Sequence, residues 1–332
     1  NQFDINSTGF KITFNSNRTN ANGDDYIYMA IRRGGMQTPS AASDVFALDD
    51  SSTTDNGGYT LNSNFPVDFY SFKSKGGGDS ISVTRLTVGD LRFSTDGAED
   101  DRSSIMDFDS NTGVTRTSFQ GNIDSVDYAF RRAPSFFDVV AYTGAGAAQT
   151  VNHNLGVVPE MMWIKNRDWA ENWAVYHSAL GTSKYLHLNT TDAALTTDAA
   201  NRWNNTSPTA TQFTVGTSTE VSHFTRGFIA YLFATVAGVS KVGNFSLSGS
   251  DIDVDCGFSS GARWVMIKRT DGTGNWFQFD TIRGITSGAD STIYLNTIDD
   301  EETADYIDPL SSGFSLVGSA WPSGDYIFYA IA

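Results

Sequence analysis

Two stretches of this chain are copies of one another. Met161–Gly181 reads MMWIKNRDWAENWAVYHSALG, and Trp264–Gly284 reads WVMIKRTDGTGNWFQFDTIRG. Without a gap, Ile164-Lys165 falls on Ile267-Lys268, Asp168 on Asp271, Asn172-Trp173 on Asn275-Trp276 and Gly181 on Gly284, at a constant spacing of 103 residues. That spacing is too long for a solenoid rung and suits one small domain. Each copy alternates apolar and polar residues, breaks at Asn, Asp and Gly, and then alternates again. The pattern predicts two short strands joined by a polar turn.

The copying runs on past the hairpin. Tyr142 and Phe245 keep the same spacing ahead of it, and closing strands Ile229–Ala234 and Ile327–Ile331 follow it. Met161-x-Trp163 is answered by Trp264-x-Met266, so a large and a medium side chain trade places on one strand face. Close-packed interiors tolerate such volume-conserving exchange. A more divergent unit precedes these two. Phe65-Pro66-Val67-Asp68 through Phe72-Lys73, then Asp109–Val114, then Val126–Arg131 match the approach, the Ser-Gly-Phe element and the closing strand. Residues 1–33 also resemble the end of a unit. Ser7-Thr8-Gly9-Phe10-Lys11-Ile12 and Gly23–Ile31 mirror Ser312-Gly313-Phe314 and Gly324–Ile331, as though the front half of that unit were missing. The expected organisation is all-β: tandem antiparallel sandwich-like units in series. It places the C-terminal half of a truncated unit at 1–35 and three units at 36–134, 135–237 and 238–332.

Composition agrees with this class. The chain has 23 Phe, 13 Tyr and 31 Gly against 7 Pro, and it lacks Ala/Leu/Glu/Lys runs at helical spacing. A net charge of −16 argues against nucleic acid or an anionic membrane as partner, since both demand basic patches. No apolar run is long enough to cross a bilayer as a helix. Cys256 is the only cysteine, so there is neither a disulfide framework nor a cysteine zinc site. Its place in the alternating run Val254-x-Cys256-x-Phe258 predicts a buried thiol.

No nucleophile elbow, HExxH, P-loop, EF-hand or dinucleotide fingerprint stands in a fitting context. His153, His177, His187 and His223 lack metal-ligand spacing. The acidic run holding Asp96, Glu99, Asp100 and Asp101 has oxygen ligands for Ca²⁺, though not in EF-hand order. Trp173 and Trp276 are shared between units and belong to the core. Trp169, Trp203 and Trp321 are not shared and lie in polar stretches, where an indole either stacks on a sugar or caps its own unit. These three are the candidate ligand-binding residues.

The ordered series Tyr26–Gly34, Asp44-Val45-Phe46-Ala47, Phe65-Pro66-Val67-Asp68, Arg131–Gly144, Val151–Val157 and Trp173-Ala174-Val175-Tyr176-His177 resembles a repeat domain of tail-fibre-like proteins of marine bacteriophages. The resemblance covers nearly the whole chain and carries no catalytic residues with it. It implies a non-enzymatic protein on the outer surface of a virion, extracellular, with other virion proteins as neighbours and a host receptor or glycan as target. It also implies a homo-oligomer, a trimer for a fibre subunit, and no cofactor. The alternatives from other classes are a virion polysaccharide-degrading enzyme and a purely structural capsid or tail decoration.

Overall fold

The computed structural model describes residues 3–6, 9–12, 21, 26, 28, 36–51, 58–100, 106–117 and 124–332. They form two compact units, 1–37 and 38–332. In the first, Phe3–Asn6 pairs antiparallel with Gly9–Ile12, Phe3 opposite Ile12 and Asn6 opposite Gly9. Ile307–Leu310 and Gly313–Leu316 pair in the same register near the other end of the chain. The expected match of Gly23–Ile31 to the last strand lies outside the described residues, apart from Tyr26 and Tyr28.

In the second unit one topology occurs three times, in segments I (38–134), II (135–237) and III (238–332). The main sheet of segment I has the order Phe46–Ser51, Ser125–Phe130, Phe69–Ser74, Ser80–Thr84, Leu91–Arg92. Segment II repeats it with Phe137–Thr143, Gly227–Phe233, Met161–Asn166, Ala174–His177, Leu186–His187. Segment III repeats it with Ser240–Leu247, Gly324–Ile331, Trp264–Arg269, Trp276–Asp280, Asp290–Tyr294, and adds Glu302–Ala304 at the edge. Each closing strand therefore returns to lie between the opening strand and the hairpin. A small second sheet covers one face of each main sheet, built on the pairs Tyr59–Asn62 with Gly113–Arg116, Gln149–Asn152 with Gln212–Val215, and Ile252–Asp255 with Gly313–Leu316.

The other face of each main sheet turns inward to a core common to all three segments. Along the closing strand of segment II, Ile229, Tyr231 and Phe233 join this shared core, while Phe228, Ala230 and Leu232 fill the segment's own. Period-two alternation here sorts residues between two interiors. Met161, Trp163, Trp264 and Met266 all lie on the inward face, so the exchange seen in the sequence is an exchange of packing partners. Aromatic rings meet across each junction: Phe69 and Phe137 at 5.6 Å, Phe233 and Tyr329 at 5.1 Å, Phe46 and Trp264 at 6.1 Å. Each such side chain contributes roughly 1.5–3 kcal/mol by leaving water. The segments expected as units in series thus enclose one interior, because the run Ile229–Ala234 is apolar on both faces and no single sandwich can cover both.

The three junctions reuse one device. Lys165 of segment II donates through Nζ to Asp96 O of segment I at 2.9 Å, and Lys268 of segment III reaches Thr191 O of segment II at 3.4 Å. Lys73 of segment I closes the cycle on segment III, donating to Tyr294 O at 2.9 Å and Thr297 O at 2.5 Å. Trp173 Nε1 donates to Arg92 O at 2.9 Å, and Trp276 Nε1 to His187 O at 3.0 Å. In segment I the position paired with Lys73 is Ser80, where segment III carries Trp276 opposite Lys268 and segment II carries Trp173 one residue before Ala174, the partner of Ile164. Lys73 there takes the Tyr294 carbonyl itself.

Candidate functional site

The structure divides the three candidate tryptophans. Trp203 is 1% exposed, packed edge-on to Tyr176, and donates from Nε1 to Lys184 O at 3.0 Å. Trp321 is 5% exposed among Phe277, Tyr306 and Tyr326, with Nε1 on Tyr306 O at 2.9 Å. Both cap the core of their own segment and have no face left for a surface ligand. Each indole turns inward although exposed residues (Asn204 after Trp203, Pro322 after Trp321) flank it, and a buried indole N–H needs the carbonyl that each has found.

Trp169 is 44% exposed and keeps a free surface. Asn166 ends the strand Met161–Asn166, and its Oδ1 accepts the N–H groups of Asp168 and Trp169, each at 3.1 Å, which turns the chain sharply. Asp168 Oδ2 accepts the Gly227 N–H at 2.7 Å, tying this turn to the first residue of the closing strand. Asn166 is paired with Phe228, so residues 167–169 and 223–226 emerge at the same end of the sheet. The His223 ring lies 4.3 Å from the Trp169 ring, and the Arg226 guanidinium sits 4.6 Å from its centroid. A cation over an indole face steadies the ring where water reaches it. Phe224 is 68% exposed beside them. Gly144 underlies this loop, where a Cβ would sit 2.3 Å from His223 O, so only glycine permits the approach.

His223, Phe224 and Arg226 have no motif of their own, and sequence reasoning did not single them out. The signal was topological: the closing strand of a repeat lies beside the strand that ends at Asn166.

The acidic run is already engaged. Glu99 pairs with Arg167 and accepts the Val88 and Gly89 N–H groups at 2.5 and 2.7 Å. Asp100 meets Arg92 at 3.1 Å, and the Asp96 carbonyl receives Lys165. Asp101 lies outside the described residues. Glu99 and the Asp96 carbonyl fasten segment I to Arg167 and Lys165 of segment II, Asp100 stays within segment I, and among the described residues no group of three His, Cys, Asp or Glu side chains can hold a metal ion. Among the histidines, His187 meets Glu220 at 3.2 Å, and Arg202 binds the same carboxylate at 2.8 Å while stacking on Tyr185. Burial pushes the Glu220 carboxyl up, and the hydrogen bonds it takes from His187 and Arg202 outweigh that and hold it below the usual carboxylate range. Cys256 is buried, and burial pushes its thiol up to about 12.

No curated protein and no solved structure matches the chain. A family model matches residues 90–332, beginning at the last strand of the first main sheet and taking in both later segments. With that much of its length matched, the chain belongs to the family described as Domain of unknown function (DUF7483).

Proposed function

We propose that this protein is a non-enzymatic module of a bacteriophage fibre or appendage that touches glycans on the host surface, and that the platform of Trp169, His223, Phe224 and Arg226 makes that contact. The observation that carries the reading is the pair of exposed aromatic rings, Trp169 and Phe224, at one end of a rigid sheet. Exposed aromatics braced by a cation offer flat apolar faces for a sugar ring, and Arg226 adds a donor for its hydroxyl or carboxylate groups. The resemblance to marine phage tail-fibre-like proteins supports the setting, and the acidic surface suits an extracellular one.

The test is adsorption of the purified protein to host cells, comparing wild type with Trp169→Ala and Phe224→Ala. Loss of a central aromatic contact weakens binding by tenfold or more. Unchanged adsorption in the double variant sinks the proposal at these residues.

A further inference from the structure

The Trp169 platform lies where the template shared by segments II and III departs from itself. Asp168 and Asp271 match in sequence, and each stands beside the glycine that opens its closing strand, Gly227 or Gly324. In segment III, Asp271 is spent on Arg269, carboxylate to guanidinium at 2.7 Å. In segment II the place of Arg269 is taken by Asn166, whose amide has no charge to pair, and Asp168 Oδ2 turns to the Gly227 N–H instead. The same loop cluster then brings a cation of its own, Arg226, which no carboxylate neutralises.

That condition is unusual in this chain, where 38 Asp and Glu face 22 Lys and Arg. Among the described residues, eight other arginines pair with a carboxylate. Arg226 is drawn into no ion pair and no side-chain hydrogen bond. Its Nε is shut off from water, while Nη1 and Nη2 reach it. The guanidinium lies 4.6 Å from the centroid of the Trp169 ring, so these two open nitrogens stand beside an exposed aromatic surface. His223 Nδ1 donates to Phe224 O at 3.3 Å, which leaves Nε2 of the neutral ring to accept a hydroxyl proton. Segment II is also the least acidic of the three. It has five Lys and Arg against seven Asp and Glu, where segment I has eight against fifteen and segment III five against thirteen. An anion approaching the molecule meets least repulsion here.

A ligand that suits these groups has an apolar ring face, hydroxyl groups and one planar negative charge. A neutral sugar leaves the guanidinium unpaired. A phosphate monoester brings a charge of about −1.5 to −2 to a single cation. A carboxylate is planar and singly charged, and it matches the two-nitrogen fork of an arginine. We propose that the platform selects a carboxylated sugar, a hexuronate, with Nη1 and Nη2 of Arg226 on its carboxylate and its C–H face on the exposed aromatic rings. The assignment rests on the platform touching glycans and adds the class of glycan.

The test is calorimetric titration of the full chain at pH 7 with oligosaccharides of galacturonate and of glucuronate, each beside its methyl ester, and with a sulfated galactose oligosaccharide. The ester keeps the ring and the hydroxyls and loses the charge. At least one acid is expected to bind saturably, with its ester tenfold or more weaker. Arg226→Gln should bring the acid down to the affinity of the ester. Arg226→Lys should recover only part of the difference, since an ammonium lacks the fork. Equal affinity of the wild type for acid and ester overturns the proposal without recourse to any variant. So does acid binding that Arg226→Gln leaves unchanged, a preference for the sulfated sugar over both acids, or binding of neither acid. Failure of the glycan contact itself shows elsewhere, in adsorption to host cells. Adsorption lost in Trp169→Ala while acid and ester bind alike leaves the platform standing and removes its selectivity for acids.

Discussion

Lys73 gives the sharpest test of how the three segments are held. The residue is 1% exposed, and its ammonium closes the cycle from segment I onto Tyr294 and Thr297, more than two hundred residues away. Burial pushes its pKa down to about 8, against the opposing fields of Asp299, Asp79 and Asp300. Replacing it with Ala removes three methylenes, about 2 kcal/mol, and orphans two carbonyls, about 1–3 kcal/mol each. Against this, the variant escapes a charge that the interior disfavours by up to about 3 kcal/mol, the equivalent of a fall from 10.5 to about 8. At pH 7 these opposing effects leave a net loss of roughly 1–5 kcal/mol.

The sign with pH is decisive. Between pH 8 and 10.5 the unfolded lysine binds a proton that the folded one has released, so this group's contribution to stability rises with pH through that window. The difference between wild type and Lys73→Ala should therefore widen by up to about 3 kcal/mol, most of it by pH 10. Urea unfolding at pH 7 and pH 10 measures it, and contributions from tyrosines common to both proteins cancel in the comparison. A difference that stays flat would mean the carbonyls of segment III solvate the ammonium as well as water does, and the assignment of a costly buried charge would fail. A difference that narrows would refute it outright.

Three further outcomes follow from the same geometry. Trp203→Ala and Trp321→Ala should each cost about 3–5 kcal/mol in thermal or urea unfolding, whereas Trp169→Ala should stay within about 0.5 kcal/mol. Comparable losses at all three would contradict the burial described above. Native Cys256 should resist thiol reagents at pH 8 and react only on unfolding, since its thiol titrates at about 12; rapid labelling of folded protein would count against it. Sedimentation should give a single-chain particle of 36.0 kDa, because the inward faces of all three sheets already cover one another. A species of three times that mass would show instead that the homotrimer expected for a fibre subunit forms on surfaces outside this core.

Much of the fold was legible in the residues. The 103-residue register located the hairpins, and Trp173 and Trp276 occupy matching places, each donating to the carbonyl of the neighbouring segment. What stayed hidden was the second buried face. Alternation in Met161–Asn166 and in Trp264–Arg269 reads equally well as core against solvent or as core against core, because period two reports sidedness and not what lies on each side. The apolar run Ile229–Ala234 carried the missing information, since every side chain in it is buried. The three candidate tryptophans divide for the matching reason: Trp203 and Trp321 turn inward and Trp169 does not, and the neighbours of a tryptophan in sequence say where the backbone runs, not where the indole points. The partners of Trp169 were invisible until Asn166 was placed opposite Phe228.

Repetition within one chain also explains how the three junctions came to differ. In a homotrimer a substitution appears at every interface at once, so each position must suit all three. In a single chain each junction is free to drift alone. Ser80 stands where the other segments have tryptophan, and Lys73 takes up the carbonyl that the indole would have reached. Asp280 is neutralised by Arg283 and bonded by Tyr128, while its counterpart His177 closes no such bond to Tyr329. The same independence lets segment II alone raise an exposed indole at Trp169, where the counterpart loop in segment III carries Gly272 and ties Arg269 to Asp271 at 2.7 Å. Stability is shared among the copies through the common core. Specialised chemistry is confined to single copies, because a change in one junction leaves the other two closed.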